Sequence, residues 1–548
     1  MARSDLADLA PTAHVDTFCR DHLPPRDDWP ELILDVPGVS YPPRLNCAVE
    51  LLDVTCRRLG PDRTCIVVPD GDAVSYGELT ARVNRLANVL TGSLGIEPGN
   101  RVLLRGPNNA WLATCWLAVL KAGAVAVTTM PLLRASELST VAEIARIDLA
   151  LCDVRFVDDL RKADLLGAKI VTYGPAGELD ALVAAASSTF TAVDTAADDV
   201  ALLAFTSGTT GRPKATMHFH RDVLAIADTF SKHVVRIGAD DVVTGTPHLA
   251  FTFGLGGLLV FPLRAGAATL LLERATPVEL AEAIAKHRAS ICFTAPTAYR
   301  AMLTGDAASN LGGLRCAVAA GEHLPEATWH AFHDRTGVKI IDGIGATELL
   351  HVFISAADDD IRPGATGKAV PGYRATILDD DGRSVPAGTP GRLAVKGPTG
   401  CRYLSDPRQQ NYVRNGWNLT GDVFRQDADG YFFYEARADD MIVSSGYNIA
   451  GPEVEEALLS HPQVAECAVV AAADPERGHV VKAFVVLVAG IVPADDVARA
   501  LQEFVKQQIA PYKYPRQIEF VAALPRTSTG KIQRYVLRNA IPGERACE

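Results

Sequence analysis

The chain has 548 residues, of which 48% are hydrophobic and 22% charged, and its formal net charge is −12. This length predicts at least two domains, the composition is typical of a folded globular protein, and the negative charge argues against non-specific binding to nucleic acid or anionic membranes. The 11 cysteines form no CxxC pair, which argues against zinc frameworks and a dense disulfide scaffold and favours a cytoplasmic location.

Two features of the chain bear on secretion and membranes. Residues 1–22 carry acidic side chains throughout and lack the apolar core of a signal peptide. The most apolar segments, residues 115–133 and 251–263, are interrupted by a lysine, by glycines or by a proline. We therefore predict that both segments are buried core and that the protein has no membrane span and is not secreted.

Between residues 200 and 345, short apolar runs alternate with amphipathic segments. This alternation predicts strand-helix units around a mainly parallel sheet. The runs are VALLAF, SICFTAP, RCAVAAGE and VKIIDGIG. Each run ends in small, polar or turn-forming residues, and parallel-sheet proteins commonly place their ligand sites at such strand ends. The chemistry is therefore expected there.

Residues 206–214, TSGTTGRPK, follow the first of these runs. Behind them Val223, Ile226, Ala227 and Phe230 recur at helical spacing, so the sequence predicts a strand, a loop and then directly a helix. The loop offers hydroxyls, backbone amides and a lysine to a polyphosphate. It matches neither the P-loop, which needs Gly before the Lys and a hydroxyl after it, nor the dinucleotide pattern GxGxxG. The alternative is a mobile surface loop rich in turn residues.

The remainder of the chain predicts two smaller units. Residues 374–395 alternate apolar and polar side chains around an Asp-Asp-Gly turn, which indicates antiparallel strands in a β-rich subdomain. Beyond Arg437 the runs VAECAVVAA and KAFVVLV and an amphipathic helix indicate a compact α+β domain. The charged segment ARADD, residues 436–440, is the predicted linker. We therefore predict an N-terminal domain of residues 1–436 and a C-terminal domain of residues 437–548.

The loop sequence TSGTTGRPK resembles the signature of the adenylate-forming superfamily, which contains acyl- and aryl-CoA ligases, luciferases and peptide-synthetase adenylation domains. Further motifs of that family have counterparts in the same order: GIGATE at residues 343–348, TGD at residues 420–422, then Arg437, and PRTSTGK at residues 525–531. The resemblance extends from about Ser75 to the end of the chain. It implies a large α/β N-terminal domain with mainly parallel sheets and a β-rich subdomain, plus a small mobile α+β C-terminal domain.

One position departs from the family pattern. Many relatives have glycine before the arginine that Arg437 matches, whereas this chain has Ala436. The difference changes no chemical group, so it leaves the implied chemistry intact.

The resemblance implies an enzyme that activates a carboxylic acid as an acyl-adenylate, with ATP and Mg²⁺, and passes the acyl group to a thiol. Attack of a carboxylate on a phosphate brings two anions together, so this chemistry needs cations and preorganised donors. The implied catalytic residues are Lys531, Thr206, Thr347 and Glu348, and Glu348 is also the implied Mg²⁺ ligand. The implied nucleotide-binding residues are Thr206, Ser207, Gly208, Thr209, Thr210, Gly211, Lys214, Asp342, Gly343, Ile344, Thr347, Asp422 and Arg437.

These residues also have ordinary structural interpretations. A single Asp or Arg is more often a solvated surface group than a ligand. Glu348 would then be a carboxylate at a helix start, Asp422 a turn residue and Lys531 a flexible surface lysine. The motifs that surround them favour the functional interpretation.

The resemblance further implies that the C-terminal domain turns between an adenylating pose and a thioester-forming pose. Asp439 matches the hinge aspartate, and its alternative is an ordinary linker acid. Lys531 must reach the phosphate in the first half-reaction and be withdrawn in the second. The residues implied to line the approach of the thiol are Ser444, Ser445, Gly446 and Tyr447.

The segments at residues 247–256 and 343–353 resemble the matching stretches of benzoate and 2-aminobenzoate CoA ligases. They imply a short, flat, apolar slot for an aryl acid, with 2-aminobenzoate first and benzoate second, and they disfavour a long acyl tunnel. The implied acid-binding residues are His248, Phe251, Thr252, Phe253, Ala320, Gly321, Gly345, His351 and Val352. For each single residue, the competing interpretation is ordinary core packing.

Three functions remain to be weighed: a CoA ligase, an adenylating enzyme that loads a separate carrier protein, and a catalytically silent nucleotide-binding module. The first two share every adenylation motif. A silent module is disfavoured because Glu348 and Lys531 are both present. The implied co-substrates and cofactor are therefore ATP, coenzyme A and Mg²⁺, and a homodimer is compatible with the sequence.

Overall fold

The computed structural model describes residues 9–206, 213–303, 307–437, 441–444, 447–474, 478–509, 511–526 and 532–539. The strands of these residues form two large mixed sheets, one antiparallel sheet and a fourth sheet near the C-terminus. The predicted fold class, a large α/β N-terminal domain with a β-rich subdomain and a smaller α+β C-terminal domain, is confirmed.

The strands of the first two sheets come from the first two thirds of the chain. They are β1 (Thr64–Val67), β2 (Val74–Ser75), β3 (Arg101–Arg105), β4 (Val125–Thr129), β5 (Leu149–Asp153), β6 (Lys169–Tyr173), β7 (Val200–Thr206), β8 (Lys214–Phe219), β9 (Val242–Gly245), β10 (Ala268–Leu270), β11 (Ile291–Thr294), β12 (Cys316–Ala320), β13 (Ile340–Gly345), β14 (Val352–Ser355) and β15 (Lys368–Ala369). The four predicted apolar runs form β7, β11, β12 and β13.

The strands of the two smaller sheets follow. They are β16 (Arg374–Leu378), β17 (Gly391–Lys396), β18 (Val413–Arg414), β19 (Trp417–Gln426), β20 (Phe432–Arg437), β21 (Ile442–Ser444), β22 (Tyr447–Ile449), β23 (Val464–Asp474), β24 (Gly478–Leu487) and β25 (Gln517–Phe520). Strands β16 and β17 are antiparallel, as the alternating pattern predicts.

The α-helices lie between these strands along the chain. They are α1 (Phe18–Asp21), α2 (Val54–Leu59), α3 (Tyr76–Asn88), α4 (Ala110–Lys121), α5 (Ala135–Ala145), α6 (Val157–Lys162), α7 (Glu178–Ala185), α8 (His220–Ile226), α9 (Thr252–Leu255), α10 (Phe261–Ala265), α11 (Pro277–His287), α12 (Pro296–Met302), α13 (Glu326–Thr336), α14 (Gln409–Tyr412), α15 (Gly451–Leu459), α16 (Asp495–Gln508) and α17 (Arg534–Asn539). Helix α3 begins at a capping box, in which Ser75 accepts from the Glu78 amide and Glu78 accepts from the Ser75 amide.

The first large sheet has the strand order β6-β5-β3-β4-β7-β8, and all neighbours are parallel except β7 and β8. Strands β3 and β5 are buried at every residue, as is typical of a parallel sheet covered on both faces, although charged Arg101, Arg105 and Asp153 stand at their ends.

The second large sheet has the order β15-β14-β13-β12-β11-β9-β10-β1-β2 and is parallel from β13 to β1. Its parallel strands β12 and β13 end at Ala320 and Gly345, side by side. One hydrophobic cluster joins Leu104 of the first sheet to Val243 and Phe293 of the second. The two sheets therefore share one core.

The amphipathic patterns predicted from the sequence are found as helices. The predicted face of Val223, Ile226, Ala227 and Phe230 is buried on α8 and on the π-helical stretch that extends it, Ala227–Val235. In the C-terminal domain, Leu501 and Val505 of α16 are fully buried. Each apolar stripe faces a core, as amphipathic periodicity predicts.

The predicted domain boundary, between residues 436 and 437, falls one residue before the end of strand β20. Strand β20 ends at Arg437 in the antiparallel sheet, and β21 begins at Ile442 in the C-terminal sheet. The boundary between residues 436 and 437 stays a prediction.

The two most apolar segments of the sequence are largely buried, in α4 and β4 and in α9 and α10. Across the part of the chain that the structure describes, no helix has the length and apolar character needed to cross a membrane.

Candidate active site

The predicted phosphate loop, residues 206–214, connects the antiparallel strands β7 and β8. Thr206 of β7 pairs with Lys214 of β8, and the ladder continues to Val200 and Phe219. The prediction that a helix follows the loop directly is therefore wrong, because α8 begins only at His220. Residues 214–219 form a strand that pairs with β7, and every side chain from Ala215 to Phe219 is buried.

Part of the predicted nucleotide site lies outside the described residues. This part comprises Ser207, Gly208, Thr209, Thr210 and Gly211. The two residues that flank it, Thr206 and Lys214, are half-buried and face each other across the hairpin.

Lys214 and Glu348 meet on either side of a tyrosine that the sequence analysis missed. The Lys214 ammonium donates to the Tyr403 hydroxyl at 2.6 Å, and that hydroxyl donates to Glu348 Oε1 at 2.5 Å. Lys214 Nζ and Glu348 Oε1 are 3.6 Å apart. The loop lysine and the predicted metal ligand are thus in one cluster.

The position of Tyr403 depends on long-range pairing. The Met217 amide donates to the Arg402 carbonyl at 2.8 Å, and the Leu404 amide donates to the Ala215 carbonyl at 2.9 Å. Residues 402–404 therefore lie along β8, although Lys214 and Tyr403 are 189 residues apart in sequence. The spacing of residues along the sequence does not predict a contact between segments so far apart.

Glu348 lies in a short 3₁₀ turn, Thr347–Leu349, directly after β13. A second residue missed by the sequence analysis supports this turn: His218 of β8 is fully buried, and its Nε2 donates to the Thr347 carbonyl at 2.8 Å. Burial lowers the His218 pKa to about 4, so the ring is neutral near pH 7 and keeps the tautomer that this bond requires.

The strand before the turn carries Asp342, Gly343 and Ile344. Burial raises the pKa of Asp342 to about 8, although the hydrogen bonds that its carboxyl group makes act to lower it. A side chain at position 343 would collide with Val352, because a Cβ there would lie 2.8 Å from Val352 Cγ1. Glycine therefore lets β13 and β14 approach closely.

The predicted ribose ligands face each other across two strands. Asp422 of β19 is in register with Arg437 of β20, and Arg437 Nη1 donates to Asp422 Oδ1 at 3.1 Å. Asp422 is 7% exposed. The pair presents an acceptor and a donor together, which suits the two hydroxyls of a ribose.

The predicted acid-binding residues gather at the ends of β12, β13 and β14. Ala320 is in register with Gly343, and Gly345 is in register with Val352. The next residue, Gly321, has a φ of +91°. Three further predicted residues lie at the start of α9, where the consecutive side chains of Phe251, Thr252 and Phe253 are half-buried.

His351 is enclosed by aromatic rings in this region. Its ring centroid lies 4.6 Å from that of Phe261, 5.3 Å from that of Phe230 and 5.6 Å from that of Phe253. Among the described residues, neither ring nitrogen of His351 has a well-formed hydrogen bond. The main chain of Phe253 raises the pKa of His351. Burial outweighs that effect and lowers the pKa to about 3, so the imidazole is neutral.

His248 differs from His351 because both of its ring nitrogens are engaged within the protein. Nε2 contacts the Gly106 carbonyl at 2.8 Å, and Nδ1 accepts from the Ala250 amide at 2.9 Å. Burial lowers its pKa to about 4. His248 therefore shapes the loop before α9 and has no free nitrogen for a ring substituent.

The C-terminal domain contacts the N-terminal domain beside the acid-binding residues. Arg526 Nη1 lies 3.6 Å from Glu322 Oε1, shortly after the end of β12. Arg526 also pairs with Ile532, and between these two residues lies the segment 527–531 that contains Lys531, the predicted lysine loop. A second contact joins the Glu326 amide to Glu456 Oε1 at 3.0 Å. The base of the loop therefore lies near the acid-binding region.

The other C-terminal predictions are only partly covered. Lys531, Asp439, Ser445 and Gly446 lie outside the described residues. Ser444 ends β21, is 7% exposed and pairs with Tyr447 at the start of β22.

The Glu348 carboxylate fits a magnesium ion that arrives with ATP. Within the described ranges, no three His, Cys, Asp or Glu side chains cluster as a ready-made metal site. Mg²⁺ is commonly held by one or two carboxylates together with phosphate oxygens and water. Glu348, next to Lys214 and the phosphate loop, offers one such carboxylate.

Comparison with known proteins agrees with this geometry. Residues 52–403 match the model of the AMP-binding enzymes, and residues 453–531 match the AMP-binding enzyme C-terminal domain. The chain is 37% identical to the benzoate-CoA ligase of Thauera aromatica over 519 residues, covering 92% of this chain and 98% of that protein.

Two solved structures are similar over almost the whole chain. The anthranilate CoA ligase AuaEII in complex with anthranoyl-AMP superposes with a TM-score of 0.86 at 34% identity, covering 91% of this chain and 98% of that one. A benzoate CoA ligase from Burkholderia xenovorans LB400 gives a TM-score of 0.83 at 32% identity, covering 90% of this chain and 100% of that one. The chain therefore belongs to the AMP-binding, adenylate-forming enzyme family.

Proposed function

We propose that the protein is an ATP-dependent aryl-CoA ligase whose preferred acid is 2-aminobenzoate, with benzoate second. The observation that carries the proposal is the cluster of Lys214, Tyr403 and Glu348 at the phosphate loop. Glu348 of this cluster follows β13, and predicted acid-binding residues lie at the ends of β12 and β13.

In the first half-reaction a carboxylate oxygen attacks the α-phosphorus of ATP and diphosphate leaves, which gives aryl-AMP. Lys214 and Thr206 would bind phosphate oxygens, and Lys531 would stabilise the charge that develops between carboxylate and phosphate. Asp422 and Arg437 would hold the ribose. When bound at Glu348, Mg²⁺ would neutralise charge on the departing phosphates.

In the second half-reaction the thiol sulfur of coenzyme A attacks the acyl carbon, and AMP leaves. The C-terminal domain, residues 437–548, would turn about Asp439 to withdraw Lys531 and bring a new set of residues to the thiol's path. These residues are Ser444, Ser445, Gly446 and Tyr447. The contact of Arg526 with Glu322 supports an adenylating pose, because it places the base of the lysine loop beside the acid-binding region.

The acid is proposed from the shape and polarity of its site. Phe253, Gly345 and Val352 would line a slot that suits a flat ring better than a long chain, and the pairing of Gly345 with Val352 supports this. The neutral His351 would accept a hydrogen bond from an ortho amino group, which benzoate lacks. The similarity to benzoate and anthranilate CoA ligases supports the same class of acid.

We expect 2-aminobenzoate and benzoate to be converted far more efficiently than acetate or palmitate, because a ring-sized slot rejects a long chain and binds a short one weakly. A panel of acids with ATP, with and without CoA, read by mass spectrometry, measures acid and acceptor together. A kcat/KM for palmitate comparable to that for 2-aminobenzoate would contradict the aryl slot. Aryl-AMP that accumulates without reacting with CoA would favour a carrier protein as acceptor.

We expect His351→Leu to lower kcat/KM for 2-aminobenzoate relative to benzoate by roughly tenfold, the cost of about one lost hydrogen bond. Benzoate is the internal control, since both acids use the same slot in the same variant. An unchanged ratio of the two kcat/KM values would show that His351 does not recognise the amino group.

A further inference from the structure

The phenol of Tyr403 lies between two groups of opposite charge. It accepts from Lys214 at 2.6 Å and donates to Glu348 at 2.5 Å. The phenol hydroxyl therefore links the two charged groups through one hydrogen bond to each.

The ring that carries this hydroxyl is held on several sides. Tyr403 is fully buried, and its amide donates to Gln409 Oε1 at 2.9 Å. Its ring packs edge-on against Tyr412, with centroids 5.8 Å apart. A buried side chain with few alternative rotamers is suited to fixing the positions of its partners.

We propose that Tyr403 is a positioning residue for the metal and phosphate end of the ATP site. Its hydroxyl bonds to both the Lys214 ammonium and the Glu348 carboxylate, whose nearest atoms are 3.6 Å apart, and so fixes the positions of both groups for MgATP. Without the hydroxyl, the two charged groups would lose this shared partner, and a closer direct pairing would compete with the metal and the phosphate. The proposal rests on the assignment of Glu348 to Mg²⁺ in the proposed function.

The test compares Tyr403→Phe with Tyr412→Phe, both in the full-length protein. Tyr412 is the matched control because its buried hydroxyl has no hydrogen-bond partner among the described residues. Calorimetry measures MgATP binding without acid or thiol. We expect the dissociation constant to rise roughly 10- to 100-fold in Tyr403→Phe, the usual cost of losing a group that orients a metal ligand. Tyr412→Phe should stay near the wild type.

Two further proteins keep the result interpretable. Replacing Tyr403 by 4-aminophenylalanine retains a donor at the same place and should restore most of the affinity. In a Glu348→Gln background, Tyr403→Phe should have little further effect, because it acts through that carboxylate. Equal affinities for the two phenylalanine variants would overturn the proposal. A Glu348→Gln variant with normal MgATP binding would instead contradict the metal assignment itself.

Discussion

Lys531→Ala should slow the formation of aryl-AMP by about 100-fold or more, the typical cost of removing one preorganised donor. The lysine would stabilise charge that develops only in the transition state of the first half-reaction. Thioester formation from preformed aryl-AMP and CoA should stay near the wild-type rate, since the C-terminal domain would then have turned the lysine away.

Single-turnover assays of the two half-reactions measure this difference. Lys506→Ala is a suitable control, because Lys506 lies on α16 of the same domain and pairs with Glu503 at 2.6 Å. If Lys531→Ala slowed both half-reactions equally, the two-pose mechanism would not hold for this protein.

Glu348→Gln should also reduce adenylation by about 100-fold, because the amide cannot replace a charged ligand of Mg²⁺. The melting temperature should change little, since the amide oxygen can still accept from Tyr403. Raising the Mg²⁺ concentration should recover part of the rate. Glu282→Gln, at an exposed position of α11, is the control for the loss of a carboxylate. Wild-type adenylation rates in Glu348→Gln would refute the role of Glu348 as a metal ligand.

The fold was largely predictable because its strands are continuous apolar runs with clear ends. Strands β7, β11, β12 and β13 follow directly from such runs. The helix predicted from Val223 to Phe230 exists, but its expected position directly behind the loop was wrong, because residues 214–219 pair with β7 as strand β8.

The candidate site was predictable only where motifs mark it. Asp422 and Arg437 were identified from their motifs, and the structure brings them together. Tyr403 and His218 were missed, because each acts through a contact between segments far apart in sequence. The periodicity of a single sequence indicates which residues share a face of one helix or strand. It does not indicate which distant segments pair in the fold.

The central claim is that the acid is activated as an adenylate before its transfer to CoA. The most direct measurement uses 2-aminobenzoate labelled with ¹⁸O in its carboxylate, incubated with ATP, Mg²⁺ and CoA, followed by mass spectrometry of the nucleotide product. Because the attacking carboxylate oxygen stays on phosphorus when the thiol displaces AMP, the account predicts AMP that carries one labelled oxygen. Unlabelled AMP, or ADP with the label in free phosphate, would contradict it.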